Sequence, residues 1–226
     1  MSTLEILKVK QTRIKAYKDK NNSYGYRCEE FDSYNWSDCV LFLGCSHVYG
    51  LANSVENSIP YLCSSISGVT SINMGISGGG PDTVLHNSFA LIEKNYIPKC
   101  VVILWPEITR HLYYMGDEMS SGVRTLMLGA WSEEEKRPLW EKYITHAENY
   151  MTKSYLMASS VNKAWQLENT KVLNFNIRPK GSTKKKEVPI VYPFPMLPEP
   201  VDKAVDGIHM GTMTNQNSAG FITKYY

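Results

Sequence analysis

The sequence predicts an α/β domain built on a parallel sheet, and three observations carry that expectation. Val40-Leu41-Phe42-Leu43 and Cys100-Val101-Val102-Ile103-Leu104-Trp105 are short, unbroken apolar runs, as strands buried on both faces must be. Each run stops at a loop of small or polar residues, Gly44-Cys45-Ser46 after the first and Pro106 to Arg110 after the second. Stretches with helical spacing separate the runs, which is the alternation of strand-helix-strand units. At 226 residues the chain is long enough for one such domain with a sizeable core or for two small ones, and one is the favoured reading.

Taken in order, residues 1–38 are polar and tyrosine-rich, with turn signals at Asn21-Asn22-Ser23 and Tyr24-Gly25-Tyr26 and no clean period. They read as an amino-terminal extension packed on a domain of residues 39–226. Ser46 falls at the end of the first strand, where ligands bind in open parallel sheets, although a plain strand-to-helix turn with a capping hydroxyl fits the same residues. Ser58 as a cap and Pro60 in the first turn start a short helix expected to turn Ile59, Leu62 and Ile66 inward, and Gly68 ends it. Val69 to Asn73 reads as a second strand. It runs into a loop with glycines at 75, 78, 79 and 80, which let backbone come close to something, and Pro81-Asp82 then opens a helix to about Asn95 carrying Val84, Leu85, Phe89, Leu91 and Ile92.

Beyond the strand at Cys100–Trp105, Ser132-Glu133-Glu134-Glu135 resembles a capping box ahead of Leu139, Trp140, Tyr143 and Ile144, so helix is expected from there, with a break, to about Glu168. Lys171 to Asn176 is a fourth strand. Prolines at 179, 189, 193, 195, 198 and 200 exclude helix and central strand, so residues 178–204 read as a long surface excursion. Its Lys184-Lys185-Lys186 run is a solvated turn or, alternatively, a contact for an anion. Val205 to Gly211 leads into a last helix with Asn215, Asn217, Ala219, Phe221 and Ile222.

Composition excludes several classes of function. A formal charge of +2 is too small to imply a nucleic-acid partner. Five cysteines, an odd number with no C-x-x-C pair, fit neither a disulfide framework nor a four-ligand zinc site. His47, His86, His111 and His146 share no i, i+4 spacing and no acidic companion, so no metal is expected. Met1 to Lys20 lacks the apolar core of a signal peptide, and Val101 to Trp105 is far short of a membrane span, which gives the expectation of a soluble, cytoplasmic protein with no membrane partner.

The chemistry-bearing residues collect at strand ends and before the last helix. An alcohol needs a base to become a nucleophile at neutral pH, and the base works best when a carboxylate orients it. Asp206-x-x-His209 offers base and carboxylate from one turn, although a cap and a surface histidine would look the same. The order of the pieces resembles the SGNH (GDSL-type) hydrolase family. Gly44-Cys45-Ser46-His47 is similar to its first block, Asn73-Met74-Gly75-Ile76-Ser77-Gly78 to its second, and Asp206-Gly207-Ile208-His209 with the Asn217-Ala219-Gly220 helix to its last.

The resemblance implies a three-layer α/β/α sandwich, flavodoxin-like, around about five parallel strands. It also implies Ser46 as nucleophile, His209 as base, Asp206 as its partner, and the amides of Ser46 and Gly78 as oxyanion donors. The implied substrate is a small-molecule or carbohydrate ester, with no cofactor. Two departures stand out: Cys45 replaces the family's aspartate, and Trp105-Pro106-Glu107-Ile108-Thr109-Arg110 lacks the asparagine of the third block, leaving Thr109 or Arg110 as substitute donors. A binding or structural protein with decayed machinery therefore stays open. Cys45 beside His47 is either an activated thiolate or a small buried side chain.

Overall fold

The computed structural model describes residues 4–9, 11, 21–115, 124–177 and 193–226. Along the chain the elements are β1 (Val40–Gly44), α1 (Ser46–Tyr49), α2 (Ile59–Ser67), β2 (Ser71–Gly75), α3 (Pro81–Glu93), β3 (Cys100–Trp105), β4 (His111–Met115), β5 (Arg124–Leu128), α4 (Arg137–Ile144), α5 (Ala147–Leu167), β6 (Lys171–Asn176) and α6 (Thr212–Ile222). The main sheet is wholly parallel in the order β2-β1-β3-β6, with helices on both faces.

Alternation along the strands divides the core in two. Leu41, Leu43, Ile72, Met74, Val101 and Ile103 face α3 and α5, meeting Val84, Leu91, Val161 and Trp165. Val40, Phe42, Val102, Leu104 and Phe175 face α2 and α6, meeting Ile59, Cys63, Ala219 and Ile222. Every residue of β1 and β3 is buried, which is why those two runs carry no polar alternation.

Several expectations are corrected. The sheet has four strands among the described residues, not about five. Beside the β6 edge, where a fifth would lie, the described residues make one parallel bridge, between Asn176 and Met196: Asn176 donates to the Pro195 carbonyl at 2.8 Å and Leu197 donates to the Asn176 carbonyl at 3.0 Å. Prolines at 193, 195 and 198 have no amide to extend that ladder. The second strand begins two residues later than expected, because its pairing with β1 carries it through Met74 to Gly75.

The antiparallel β4–β5 hairpin had no sequence counterpart. The presumed capping box does not start a helix: Ser132 closes a turn, accepting the Gly129 amide at 3.0 Å, and α4 begins at Arg137. On α2, Ile66 is exposed and Cys63 takes the buried position, while on α3 Phe89 is exposed and Asn87 and Ser88 are buried. The Ser58 hydroxyl bonds the Val55 carbonyl at 2.7 Å rather than capping α2. Of the proline-rich excursion, residues 178–192, including Lys184-Lys185-Lys186, lie outside the described residues.

Residues ahead of β1 contribute to the same core. Ile6, Leu7, Tyr26, Phe31 and Trp36 join the α3/α5 side. The Tyr26 hydroxyl donates to the Leu7 carbonyl at 2.9 Å and accepts from Asn87 at 2.8 Å, so Asn87 of α3 is buried against a partner. Buried Arg27 donates to the carbonyls of Tyr49, Gly50 and Asn53, gripping the chain just after α1.

The end of β2 approaches α1 very closely. A β-carbon on Gly75 would stand 2.1 Å from the Tyr49 nitrogen and 2.7 Å from its Cα. Asn73 reinforces the junction, donating to the Val48 carbonyl and accepting the Gly75 amide, both at 3.0 Å. Gly75→Ala must therefore push α1 away from the sheet, and we expect it to destabilise the protein by about 1–3 kcal/mol or more. Urea unfolding followed by tryptophan fluorescence measures this; an unchanged midpoint would mean that the junction yields freely.

Candidate active site

Ser46 is positioned by the end of β1. Cys45 keeps an extended backbone at the N-cap, and α1 then begins at Ser46, so the side chain leaves the sheet edge at the first helical residue. The Ser46 carbonyl accepts from Gly50 and Leu51, both at 3.0 Å, which fixes this short turn. Ser46 is 4 % exposed and Cys45 beneath it 1 % exposed.

The Asp206–His209 turn reaches Ser46 from the far end of the chain. Asp206 Oδ1 accepts the amides of Ile208 at 2.9 Å and His209 at 3.0 Å, closing a tight turn of the kind aspartate favours. Its Oδ2 lies 2.6 Å from His209 Nδ1, and His209 Nε2 lies 2.9 Å from Ser46 Oγ, across 163 positions of sequence. Burial pushes the Asp206 carboxyl up, but the amides of His209 and Ile208 and the His209 ring outweigh it, so the group sits below the usual carboxylate range. An ionised carboxylate can only accept, so Nδ1 carries the ring proton and Nε2 is left to accept from the Ser46 hydroxyl.

What holds that turn was not legible in advance. Asp202 Oδ1 accepts the Thr214 amide at 2.8 Å and its hydroxyl at 2.6 Å, and Oδ2 accepts the Met213 amide at 3.0 Å, so this carboxylate caps α6 from outside the local cap position. Asn53 donates to the Met210 carbonyl at 2.9 Å and Asn215 to the Asn57 carbonyl at 2.8 Å, tying α6 and its preceding turn to the chain beyond α1. The two asparagine contacts join residues 157 and 158 positions apart, with no local pattern that would announce them.

The glycine loop follows β2. Gly78 has φ +78°, the left-handed region that glycine enters without strain. Gln11, ahead of the domain proper, clamps the loop with both ends of its amide: Nε2 donates to the Gly75 carbonyl at 2.9 Å and Oε1 accepts the Ser77 amide at 2.8 Å. After β3, the Thr109 hydroxyl donates to Glu107 Oε1 at 2.9 Å and its carbonyl accepts from Trp140 at 2.7 Å, so this side chain is engaged within its own loop. Arg110 lies over the Trp131 ring with its guanidinium carbon 4.9 Å from the centroid. Trp131, which sequence reasoning passed over, packs against Gly78.

Two other histidines have definite surroundings. The His47 ring is 5.3 Å from that of His209. Burial, then the positive charges of His209 and Arg110, against a weaker opposing pull from Asp206, bring its pKa down to about 3, so it stays neutral. His111 does have an acidic companion, contrary to the sequence reading: Nδ1 lies 2.7 Å from Asp82 Oδ2, which also accepts the Leu112 amide, and the ring stacks on Tyr143 at 4.2 Å. Asp82 thereby fastens the start of α3 to β4. Among the described residues no cluster of three His, Cys, Asp or Glu side chains is arranged to hold a metal, all five cysteines are free, and no helix is long and apolar enough to cross a membrane.

Among solved structures, the chain is similar to a "putative lipolytic protein of G-D-S-L family from Desulfitobacterium hafniense DCB-2", with a TM-score of 0.47 and 11% identity, over 83% of this chain and 98% of that one. No family model and no curated protein sequence matches the chain.

The neutral His47 has a measurable consequence. The unfolded chain takes up a proton on this ring near about pH 6.5, whereas the folded protein does so only near pH 3. The unfolded state therefore binds more protons between those values, and stability contributed by His47 is present above the upper one and lost as pH falls toward the lower. His47→Asn should flatten this part of the profile, so that the stability difference between wild type and variant shrinks steadily in urea melts at pH 7.5, 6 and 4.5. Parallel profiles would place the proton elsewhere.

Proposed function

We propose that this protein is a serine hydrolase of the SGNH type that cleaves a small acyl ester through an acyl-enzyme. The observation that carries the reading is the continuous contact from Asp206 through His209 to Ser46. In this mechanism the Ser46 hydroxyl attacks the ester carbonyl as His209 Nε2 takes its proton, and Asp206 stabilises the imidazolium that forms. The amides of Ser46 and Gly78 hold the oxyanion. Collapse expels the alcohol, which takes the proton from His209. A water activated by the same ring then releases the acid and restores Ser46.

In this reading residues 39–226 are the hydrolase-like domain and residues 1–38 an extension packed on it, with Gln11 holding the loop that carries the Gly78 donor. Thr109 is not assigned a donor role, since its hydroxyl is given to Glu107. That same engagement favours a second reading, a binding protein on a hydrolase frame that has lost its third donor. Loss of one such donor slows acyl transfer by about 10²–10³ without abolishing it, so a slow enzyme remains the first reading.

A fluorophosphonate probe followed by mass spectrometry should place a covalent adduct on Ser46 and none on Ser46→Ala. Asp206→Asn should lower kcat on short aryl esters by roughly a thousandfold or more, because the His209 tautomer is no longer fixed. An unlabelled Ser46, with aryl-ester rates equal in wild type and Ser46→Ala, would leave the binding protein as the account.

A further inference from the structure

The mechanism above leaves one charged group near Ser46 without a task. Arg110 ends the turn after β3, and its Nε and Nη1 are buried with no hydrogen-bond acceptor. Glu107 Oε2 stands 3.6 Å from Nε, an ion-pair distance outside hydrogen-bond reach, and the other oxygen of that carboxylate is taken by Thr109. A guanidinium has donors and no acceptor, so buried N–H groups left unmatched are costly. A carboxylate drawn to one edge of the guanidinium would match one of them together with Nη2.

The location gives these donors a purpose. Arg110 is anchored against the glycine loop, where a β-carbon on Gly80 would lie 2.7 Å from the Arg110 carbonyl oxygen. Its guanidinium carbon lies over Trp131, whose ring edge would be 3.0 Å from a β-carbon on Gly78. Its charge also acts on His47, the neighbour of Ser46, whose ring is 5.3 Å from that of His209. The cation therefore adjoins the candidate oxyanion loop, and its charge reaches the residue next to the candidate nucleophile. Trp131 is 50 % exposed, so a broad aromatic surface lies open beside it.

Building on the hydrolase reading, we propose that Arg110 binds an acid group of the substrate and that Trp131 supports a ring next to it, so that the preferred substrate is an ester carrying both a carboxylate and a ring. A carboxylate can accept from two guanidinium N–H groups at once, which a neutral hydroxyl cannot do, and an indole face takes a flat or ring-shaped neighbour. Arg110 is here a specificity residue. Glu107, with Oε2 3.6 Å from Nε, tempers the charge.

Binding to Ser46→Ala protein, which cannot turn substrate over, separates this proposal from the hydrolase reading. Two matched pairs are titrated by calorimetry: 4-acetoxybenzoate against 4-(hydroxymethyl)phenyl acetate, with the acid on the alcohol half, and phenyl hydrogen succinate against phenyl methyl succinate, with the acid on the acyl half. In at least one pair the acid should bind tenfold tighter or better. Adding Arg110→Met should bring that ratio close to one, while Arg110→Lys, which keeps the charge but not the paired donors, should retain a reduced preference. Trp131→Ala should weaken both members of the pair. Equal binding within both pairs, or a preference that survives Arg110→Met, overturns the proposal, whereas failure of fluorophosphonate labelling counts only against hydrolysis. Should Arg110→Met fail to fold, an undiminished preference in Arg110→Lys is the overturning result.

Discussion

Gly44, Gly75 and Leu104 stand in one row across the sheet, paired Gly44 to Gly75 on one side and Gly44 to Leu104 on the other. This parallel register is the constraint on which the site depends. Strands running in one direction end at one edge, so the loops carrying Ser46, Gly78 and Arg110 all leave from the same level. A slip of one residue in any pairing would exchange the two faces of that strand and turn its apolar set away from its core. The two hydrophobic clusters, one on each face, thus hold the register, and the register holds the site.

The fourth contributor to the site does not come from a strand end. His209 arrives from the segment before α6, and its placement depends on polar contacts: the Asp206 turn, the Asp202 cap and the hydrogen bonds from Asn53 and Asn215. Hydrogen bonds are directional where apolar packing is not, so a ring that must meet a hydroxyl at 2.9 Å is well served by such a frame. Gln11 does similar work for the glycine loop, and Arg27 for the chain after α1. Two side chains from the segment ahead of β1 therefore bear on the candidate site without touching a reacting atom.

The parts of this architecture that sequence revealed are those set by local chemistry. Strands β1 and β3 are apolar throughout because both faces are covered, and Ser46 and the Asp206–His209 pair occur in short patterns with a stated mechanism. Parts set by distant partners stayed hidden. Ser132 followed by acidic residues looks like a helix start, yet the hydroxyl serves Gly129 and the chain does not turn helical until Arg137. Phe89 was expected inside α3, but Asn87 has its place there because Tyr26 and the Leu7 amide, 61 and 80 positions away, complete its hydrogen bonds. Arg110 was legible as a residue near the site and not as a cation with unmatched donors over Trp131, since only folding sets the indole, 21 positions on, beneath it.

The short bridge at the β6 edge bears on how the molecule meets its own copies. An open parallel sheet ends in a strand whose unpaired backbone invites a strand from another chain, the first step toward aggregation. Here the outer side of β6 is shielded at Asn176 by Pro195 and Leu197, while the Asn176 side chain donates to the Phe194 carbonyl at 2.8 Å. The proline-studded segment covers the end of the edge and presents, in its turn, a backbone too poor in amides to be extended. At this end of the sheet the bridge thus becomes a guard against intermolecular pairing.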